Sequence, residues 1–297
     1  MKIALLGVGL MGQPMARRLI EAKHQLYLWN RTQSKLAPFE QEATLTSSPI
    51  EAISQADVII TMLENGPVID ALLFESGDFK SAQQGALWID MSSITPELAK
   101  KHAKLLNAQD ITYIDAPVSG GTVGAEQGTL SIMAGGSEEG FARALPILSI
   151  FGDANRIGPT GCGQLAKLAN QAIVGITIGA VSEALLLARE GGADLEAVKK
   201  SLMGGFASSR ILELHGQRMI EGNFEPGARA RVQLKDLRMI LDQARVEGLS
   251  LPLAQRTYES YQSLVSRGLE NVDHSGLFLE LEALNQVSNQ PVNGAEK

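Results

Sequence analysis

The first 160 residues alternate short apolar runs with amphipathic stretches. Between the runs, apolar residues recur every three to four positions, which is the spacing of one helix face. The apolar runs predict strands at 2–6, 25–29, 57–62, 86–90, 111–115, 129–134 and 154–157. The amphipathic stretches predict helices near 13–22, 34–39, 49–54, 67–73, 96–107 and 138–150. This alternation is typical of an α/β domain with a mostly parallel sheet covered by helices on both faces, with room for antiparallel strands at one edge.

From Gly161 onward the apolar spacing is that of helices alone, which predicts an all-α domain. Asp194 is a suitable N-cap for one of these helices, and paired glycines precede it. The helices are predicted at 163–191, 195–203, 208–221, 230–247, 252–267 and 275–285. We therefore expect an α/β domain over 1–160 followed by a helical substrate and dimerisation domain over 161–286. Residues 287–297 lack periodicity and are expected to form a loose tail.

A glycine-rich turn joins the first predicted strand to the first predicted helix. It reads Gly7-Val8-Gly9-Leu10-Met11-Gly12. Gly7 permits a sharp turn, Gly9 lets the backbone touch a pyrophosphate, and Gly12 allows close contact between helix and strand. Leu10 and Met11 lie at the start of the helix, whose free N–H groups favour phosphate. The N-terminal domain is therefore predicted to be a Rossmann domain that binds a dinucleotide.

The end of the second predicted strand indicates which dinucleotide is bound. Asn30, Arg31 and Thr32 occupy the place where an NAD site usually carries Asp or Glu. A carboxylate there would accept hydrogen bonds from the ribose hydroxyls and repel a 2′-phosphate, whereas Arg31 offers a charged fork to that phosphate. The sequence predicts a preference for NADP(H), with NAD(H) still possible; the alternative is that Arg31 is an ordinary solvated loop residue.

Composition excludes several classes of function. A net charge of −7 without a basic stripe argues against nucleic acid as a partner. The single Cys162 excludes an internal disulfide and fits a reducing cytoplasm. The most apolar segment, 172–187, contains Gly175, Gly179, Thr177 and Glu183 and is interpreted as a buried helix of a protein that does not enter a membrane. The spacing of the four histidines, 24, 102, 215 and 274, predicts no metal site.

A segment rich in glycine and hydroxyl groups follows the strand at 111–115. Ser119, Gly120 and Gly121 place a hydroxyl donor beside two backbone amides that no side chain covers. Such a segment can hold an anion such as a substrate carboxylate. The alternative is a plain turn between a strand and a loop.

The long helix that begins near residue 163 carries a second group of candidate residues. Lys167 and Asn170 are three residues apart and share a face, which Val174 continues among apolar neighbours. Apolar surroundings lower the pKa of an ammonium and make it a better proton donor. The alternative is a lysine whose charged end reaches solvent. Two interpretations remain for Lys235-Asp236 on a later helix, since the pair either belongs to the functional site or forms an ion pair at the surface.

Together these motifs resemble the β-hydroxyacid dehydrogenase family over 1–284. The resemblance implies that Lys167 is the catalytic acid, that Asn170 orients the reacting group, and that Ser119, Gly120 and Gly121 hold the substrate carboxylate. It also implies that the chain forms a homodimer or homotetramer. The cofactor site is expected to include the glycine loop, Met62, Leu63, Ser93 and Lys235.

Within the family, 202–212 and 273–275 are most similar to tartronate semialdehyde reductases, and 30–32 resembles NADPH-using semialdehyde reductases. The resemblance therefore implies NADPH-dependent reduction of tartronate semialdehyde to glycerate. Alternatives are a succinic semialdehyde or glyoxylate reductase, a 3-hydroxyisobutyrate dehydrogenase and a non-catalytic NADP-binding protein. Lys167 argues against an imine reductase, and the lack of a large basic pocket argues against a sugar-phosphate dehydrogenase.

Overall fold

A computed structural model of the chain describes residues 1–287. These residues fall into two compact units, Met1–Lys167 and a second unit that begins at Leu168. The division lies inside a long helix, a few residues after the boundary that the sequence predicts at residue 160. The predicted tail, 287–297, lies outside the described residues except for Val287.

The first unit is built on one sheet of nine strands. The strands are β1 Lys2–Leu6, β2 Gln25–Trp29, β3 Thr44–Leu45, β4 Val58–Thr61, β5 Leu87–Asp90, β6 Thr112–Asp115, β7 Val118–Ser119, β8 Leu130–Gly135 and β9 Gly152–Gly158. Six of them run parallel in the order β3-β2-β1-β4-β5-β6, and β8 pairs antiparallel with both β6 and β7. β9 lies parallel to β8 at that end. The predicted α/β class and mostly parallel sheet are confirmed.

Two apolar cores cover the two faces of this sheet. Successive strand residues point to opposite faces, so Ile3 and Leu5 enter one core while Ala4 and Leu6 enter the other. The covering helices are α1 Gly12–Glu21, α2 Pro49–Ser54, α3 Gly66–Ile69, α4 Pro96–Asn107, α5 Gly121–Gln127 and α6 Glu138–Leu148. Tighter or wider turns replace α-helix at Gln33–Phe39, Asp70–Glu75 and Asp78–Ser81.

The second unit is helical throughout its described residues, as the sequence predicts. Its helices are α7 Cys162–Glu190, α8 Leu195–Met203, α9 Gln217–Glu221, α10 Ala230–Val246, α11 Pro252–Ser266 and α12 Leu277–Leu284. A π-turn spans Leu212–Gly216, and a short 3₁₀ turn spans His274–Gly276. Gly175 on α7 allows the side chain of Gln233 on α10 to approach closely, since a methyl group at Gly175 would lie 2.6 Å from the Gln233 amide nitrogen.

Helix α7 is apolar on more than the face that packs into the second unit. Ile178 and Leu185 are fully buried there, but Ile173 and Leu187 are 67% and 77% exposed. Its 29 residues include an 18-residue window of mean hydropathy 1.7, so by length and composition alone α7 could cross a membrane. The prediction of a buried helix therefore holds for one face of α7, whereas another face presents apolar side chains to solvent.

Candidate functional site

The glycine loop between β1 and α1 packs against the end of β4. Gly7 has φ +104°, a conformation that residues with side chains rarely adopt, and a methyl group there would overlap the carbonyl oxygen of Met62. A methyl group at Gly12 would overlap the carbonyl oxygen of Gly7. The loop can therefore close in this form only with glycine at both positions.

Gly9 differs from these two glycines because it faces open space. A methyl group at Gly9 would find no atom within 4 Å. Leu10 beside it is 76% exposed, and Met11 at the N-cap of α1 has no side-chain oxygen to accept an N–H. The start of α1 therefore keeps the partial positive charge that attracts anions. This open, uncapped loop fits the pyrophosphate of a nicotinamide dinucleotide.

The three residues at the end of β2 have different surroundings. Asn30 is buried, its side-chain oxygen accepts from the Val8 amide at 3.1 Å, and its side-chain nitrogen donates to the Thr32 carbonyl at 2.9 Å. Thr32 and Arg31 are exposed, and Arg31 has no hydrogen-bond or ion-pair partner within residues 1–287. Asn30 therefore ties the glycine loop to β2, while Arg31 presents its charge to solvent.

The loops that follow β4 and β5 are joined at the carboxyl edge of the sheet. The Ser92 hydroxyl oxygen accepts a hydrogen bond from the Leu63 amide at 3.0 Å, and the Ser92 amide donates one to the Asp90 carboxylate at 3.1 Å. Burial raises the pKa of the Asp90 carboxyl, although its hydrogen-bond donors oppose this shift. Met62 and Ser93, both half-buried, flank these contacts. The predicted cofactor residues Met62, Leu63 and Ser93 therefore lie on adjacent loops.

The predicted anion-binding segment lies between β7 and α5. Gly120 and Gly121 are exposed and have φ values of +134° and +64°. A methyl group at Gly121 would meet nothing within 4 Å. Ser119 precedes them, half-buried, and pairs with Ser131 of β8. The segment therefore offers a hydroxyl group beside two exposed glycines, of which Gly121 faces open space, and it can accommodate a carboxylate.

Lys167 and Asn170 lie on successive turns of α7. Lys167 is buried, with 9% of its surface exposed, and Asn170 is half-buried. Residues three apart on a helix share a face, so the two side chains leave α7 in similar directions. A buried primary amine next to an amide on one helix face can protonate and orient a developing alkoxide.

Asn170 belongs to a chain of polar contacts within the second unit. Its amide donates to the side-chain oxygen of Gln171 at 2.8 Å, and Gln171 donates to the Asp236 carboxylate at 2.6 Å. Asp236 is 3% exposed and lies 3.2 Å from the Lys235 ammonium. The sequence left Lys235-Asp236 open to a surface ion pair, whereas Asp236 is buried and linked to Asn170. Sequence inspection missed Gln171, because only the tertiary fold shows that it joins two separate motifs.

A cluster of two histidines and an aspartate forms at the start of the 3₁₀ turn in the second unit. The Nε2 atoms of His215 and His274 are 3.1 Å apart, and both rings lie within metal-ligating range of Asp273. Asp273 already accepts hydrogen bonds from three backbone amides and from the Ser275 hydroxyl, and the Arg218 guanidinium lies 3.7 Å away. Two histidines whose sequence spacing predicted no metal site are thus brought together by the fold. The occupied carboxylate and nearby cation favour a structural hydrogen-bonded role over metal binding.

The fold keeps the His274 imidazole neutral. Burial lowers its pKa to about 4, the neighbouring His215 and Arg218 act in the same direction, and Asp273 opposes them. A group that protonates near pH 6.5 when unfolded and near 4 when folded contributes stability above pH 6.5 and loses it as the pH falls. We expect the free energy of unfolding to drop by about 2 kcal/mol from this source between about pH 7 and pH 5. Urea titrations of parent and His274→Asn at both pH values measure it, and identical pH dependence in the two proteins would contradict the assignment.

Comparisons with known proteins cover nearly all of the chain. Residues 2–162 match the family described as the NAD binding domain of 6-phosphogluconate dehydrogenase. Residues 161–280 match the family described as NAD-binding of NADP-dependent 3-hydroxyisobutyrate dehydrogenase. Among solved structures, the 3-hydroxyisobutyrate dehydrogenase of Salmonella typhimurium has a TM-score of 0.85 at 27% identity, covering 94% of this chain and 99% of that one.

Two curated relatives are similar to this chain over most of its length. The 2-hydroxy-3-oxopropionate reductase of Escherichia coli (strain K12) is 41% identical over 291 residues, which cover 96% of this chain and 98% of that protein. The 3-hydroxyisobutyrate dehydrogenase of Pseudomonas aeruginosa is 36% identical over 261 residues, covering 84% and 88% of the two chains. The chain therefore belongs to the β-hydroxyacid dehydrogenase family of NAD(P)-dependent oxidoreductases.

Proposed function

We propose that this enzyme uses NADPH to reduce tartronate semialdehyde, 2-hydroxy-3-oxopropionate, to glycerate. The observation that carries the proposal is the buried amine of Lys167, with Asn170 one turn further along α7. The choice of substrate is supported by 41% identity, over almost the whole chain, to a reductase named for that compound. The choice of NADPH is supported by the exposed guanidinium of Arg31, which has no partner in the described part of the chain.

The reaction adds one hydride and one proton across the aldehyde C=O bond. A bound reduced nicotinamide supplies the hydride to the carbonyl carbon. Lys167 gives its proton to the carbonyl oxygen as the C–O double bond becomes single, and the Asn170 amide donates a hydrogen bond to the same oxygen. Negative charge grows on that oxygen only during the transfer, so a fixed ammonium stabilises the transition state more than the bound aldehyde.

The segment Ser119 to Gly121 is proposed to hold the substrate carboxylate. Ser119→Ala should then lower kcat/KM for tartronate semialdehyde by about tenfold or more, since a hydrogen bond to a charged group is lost. Glycolaldehyde lacks the carboxylate and otherwise matches the substrate, so the same variant should reduce it as well as the parent enzyme does. Initial rates with both aldehydes measure the contrast. An equal loss for the two would show that Ser119 has no role specific to the carboxylate.

The whole proposal is tested by initial rates of the purified enzyme with a panel of aldehydes. Tartronate semialdehyde, succinic semialdehyde, methylmalonate semialdehyde and glyoxylate are each offered with NADPH and then with NADH. We expect the highest kcat/KM for tartronate semialdehyde with NADPH. A dominant rate with methylmalonate semialdehyde would identify a 3-hydroxyisobutyrate dehydrogenase, as the Pseudomonas and Salmonella relatives are named. Turnover of none of the four would overturn the proposal in favour of a binding role.

A further inference from the structure

The helix that carries Lys167 begins without a capping side chain of its own. Gly161 stands at the position before Cys162, the first helical residue, and glycine has no side-chain oxygen. The first amides of a helix have no partner within the helix. The side chain of the residue just before the helix usually accepts a hydrogen bond from one of them. In this chain the missing acceptor comes from elsewhere, because the Asp115 carboxylate accepts from the Gly161 amide at 2.8 Å and from the Gln164 amide at 3.0 Å. A side chain at the end of β6 therefore caps a helix whose N-cap residue, Gly161, lies 46 residues later in the chain.

The Asp115 carboxylate is tightly enclosed by the start of α7 and by the neighbouring strand β8. A methyl group at Gly163 would lie 2.6 Å from the Asp115 carbonyl oxygen and 2.8 Å from a carboxylate oxygen. A methyl group at Gly135, on the neighbouring strand, would lie 2.6 Å from the other carboxylate oxygen. The absence of side chains at these two glycines lets the helix start approach the strand end closely. The Asp115 contact therefore fixes the first turn of α7 at the end of β6.

Gln164 makes a second attachment within the same turn. Its side-chain nitrogen donates to the Ser92 carbonyl at 2.8 Å, and its side-chain oxygen accepts from the Ile94 amide at 3.1 Å. The residue is 1% exposed. The loop that contains Ser93 is thus bound to α7 one turn before Lys167, and the Asp115 contact holds the main chain of the same residue, Gln164.

We propose that Asp115 is a positioning residue that fixes the first turn of α7 on the sheet and thereby places the Lys167 amine for proton transfer. This inference rests on the proposed role of Lys167. Asp115 acts without touching substrate or cofactor. Its effect reaches the reaction through the main chain of Gly161, which precedes α7, and of Gln164, which lies one turn before Lys167 on that helix.

The cap has a consequence for the pH dependence of the reaction. Burial raises the pKa of Asp115 to about 6, although the amides of Gly161 and Gln164 oppose the shift. The titratable groups that face it are Asp90 on β5, whose charge raises the pKa further, and Tyr113 on β6. Both carboxylate oxygens accept an N–H, so protonation puts a hydrogen where an acceptor is needed. We expect kcat to decline as the pH falls below about 6.

Asp115→Asn tests the proposal because it keeps the shape of the side chain and removes one of the two acceptors. We expect kcat to fall by about tenfold to a hundredfold, since small displacements of a reacting group have effects of that size. The Kd for NADPH should change by less than about twofold, and the decline of kcat below pH 6 should disappear. Asp194→Ala is the matched control, because Asp194 caps α8 by accepting from the Glu196 amide. It should lower the melting temperature and leave kcat and its pH profile as in the parent.

The outcomes separate this inference from the proposed function. If Lys167→Ala is inactive while Asp115→Asn keeps the parent kcat and pH profile, the positioning role is wrong and the function stands. If Lys167→Ala remains active, both fail together. Should Asp115→Asn not fold, Asp115→Ser retains a single neutral acceptor for one of the two amides. A reduced kcat without the acid decline in that variant supports the proposal, and an unchanged acid decline overturns it.

Discussion

Replacing Lys167 with alanine is expected to reduce kcat by about 10²- to 10⁴-fold while the Kd for NADPH stays within about twofold. The physical reason is that a proton donor contributes to the transition state and not to cofactor binding. The glycine loop and Arg31, which we propose to bind NADPH, lie at the ends of β1 and β2 and do not involve this side chain. Single-turnover rates with saturating NADPH measure the chemical step directly.

Two further variants make this expectation specific to the Lys167 amine. Lys167→Met keeps the apolar stem and removes only the charged end, so it should be as inactive as the alanine variant if the proton matters. Lys200→Ala on α8 removes an exposed lysine and should leave every kinetic constant unchanged. A methionine variant that retains more than about a third of the parent kcat would exclude Lys167 as the acid.

Most of the parallel part of the sheet could be predicted from the sequence because strands β1, β2, β4, β5 and β6 are buried along most of their length. Runs such as Lys2–Leu6 and Gln25–Trp29 are apolar almost without interruption, and their bounds match the prediction. Helix α4, Pro96–Asn107, also matches, since Thr95 caps its start and a proline occupies its first position. Where both ends of an element carry strong local signals, its bounds depend little on tertiary contacts.

The elements that were missed have weak local signals. β3 and β7 contain two residues each, and each forms by pairing with a neighbouring strand. α5, Gly121–Gln127, contains two glycines, which lower helix propensity and mask its periodicity. The π-turn at Leu212–Gly216 lies within a predicted α-helix, because the apolar spacing there cannot distinguish a wider turn from a regular one. Long-range pairing decides such segments.

The candidate site likewise contains some residues that local motifs reveal and others whose partners only the fold reveals. The glycine loop and the Lys167 turn are local motifs, so their residues can be recognised in the sequence. Asp115 and Gln164 could not be assigned as partners, since the contact that joins them spans 49 positions. Asn30 shows both aspects: its place at the end of β2 predicts a cofactor contact, while only the fold shows that its side chain also bonds to the Val8 amide and the Thr32 carbonyl.

Replacing Arg31 with alanine is expected to raise the Kd for NADPH by about tenfold to a hundredfold and to leave the Kd for NADH nearly unchanged. The two cofactors differ only by the 2′-phosphate on the adenine ribose, so a residue that contacts that phosphate must discriminate between them. Arg31 has the required properties, because it is exposed at the end of β2 and its guanidinium has no partner within residues 1–287. Asn30 cannot replace the lost charge, since its amide is neutral and the residue is buried.

Lys104, exposed in the last turn of α4, provides the matched control for a general loss of positive charge. Helix α4 leads into β6 at the amino edge of the parallel sheet, opposite the ends of β1 and β2, so Lys104→Ala should weaken NADPH only by the small amount expected of a screened, distant charge. Fluorescence titration of both variants with NADPH and NADH gives four ratios of the variant Kd to the parent Kd. A large ratio confined to Arg31 and NADPH identifies a direct phosphate contact. Equal losses for both cofactors in Arg31→Ala would instead mean that the side chain supports the loop, and the proposed NADPH preference would lose its structural basis.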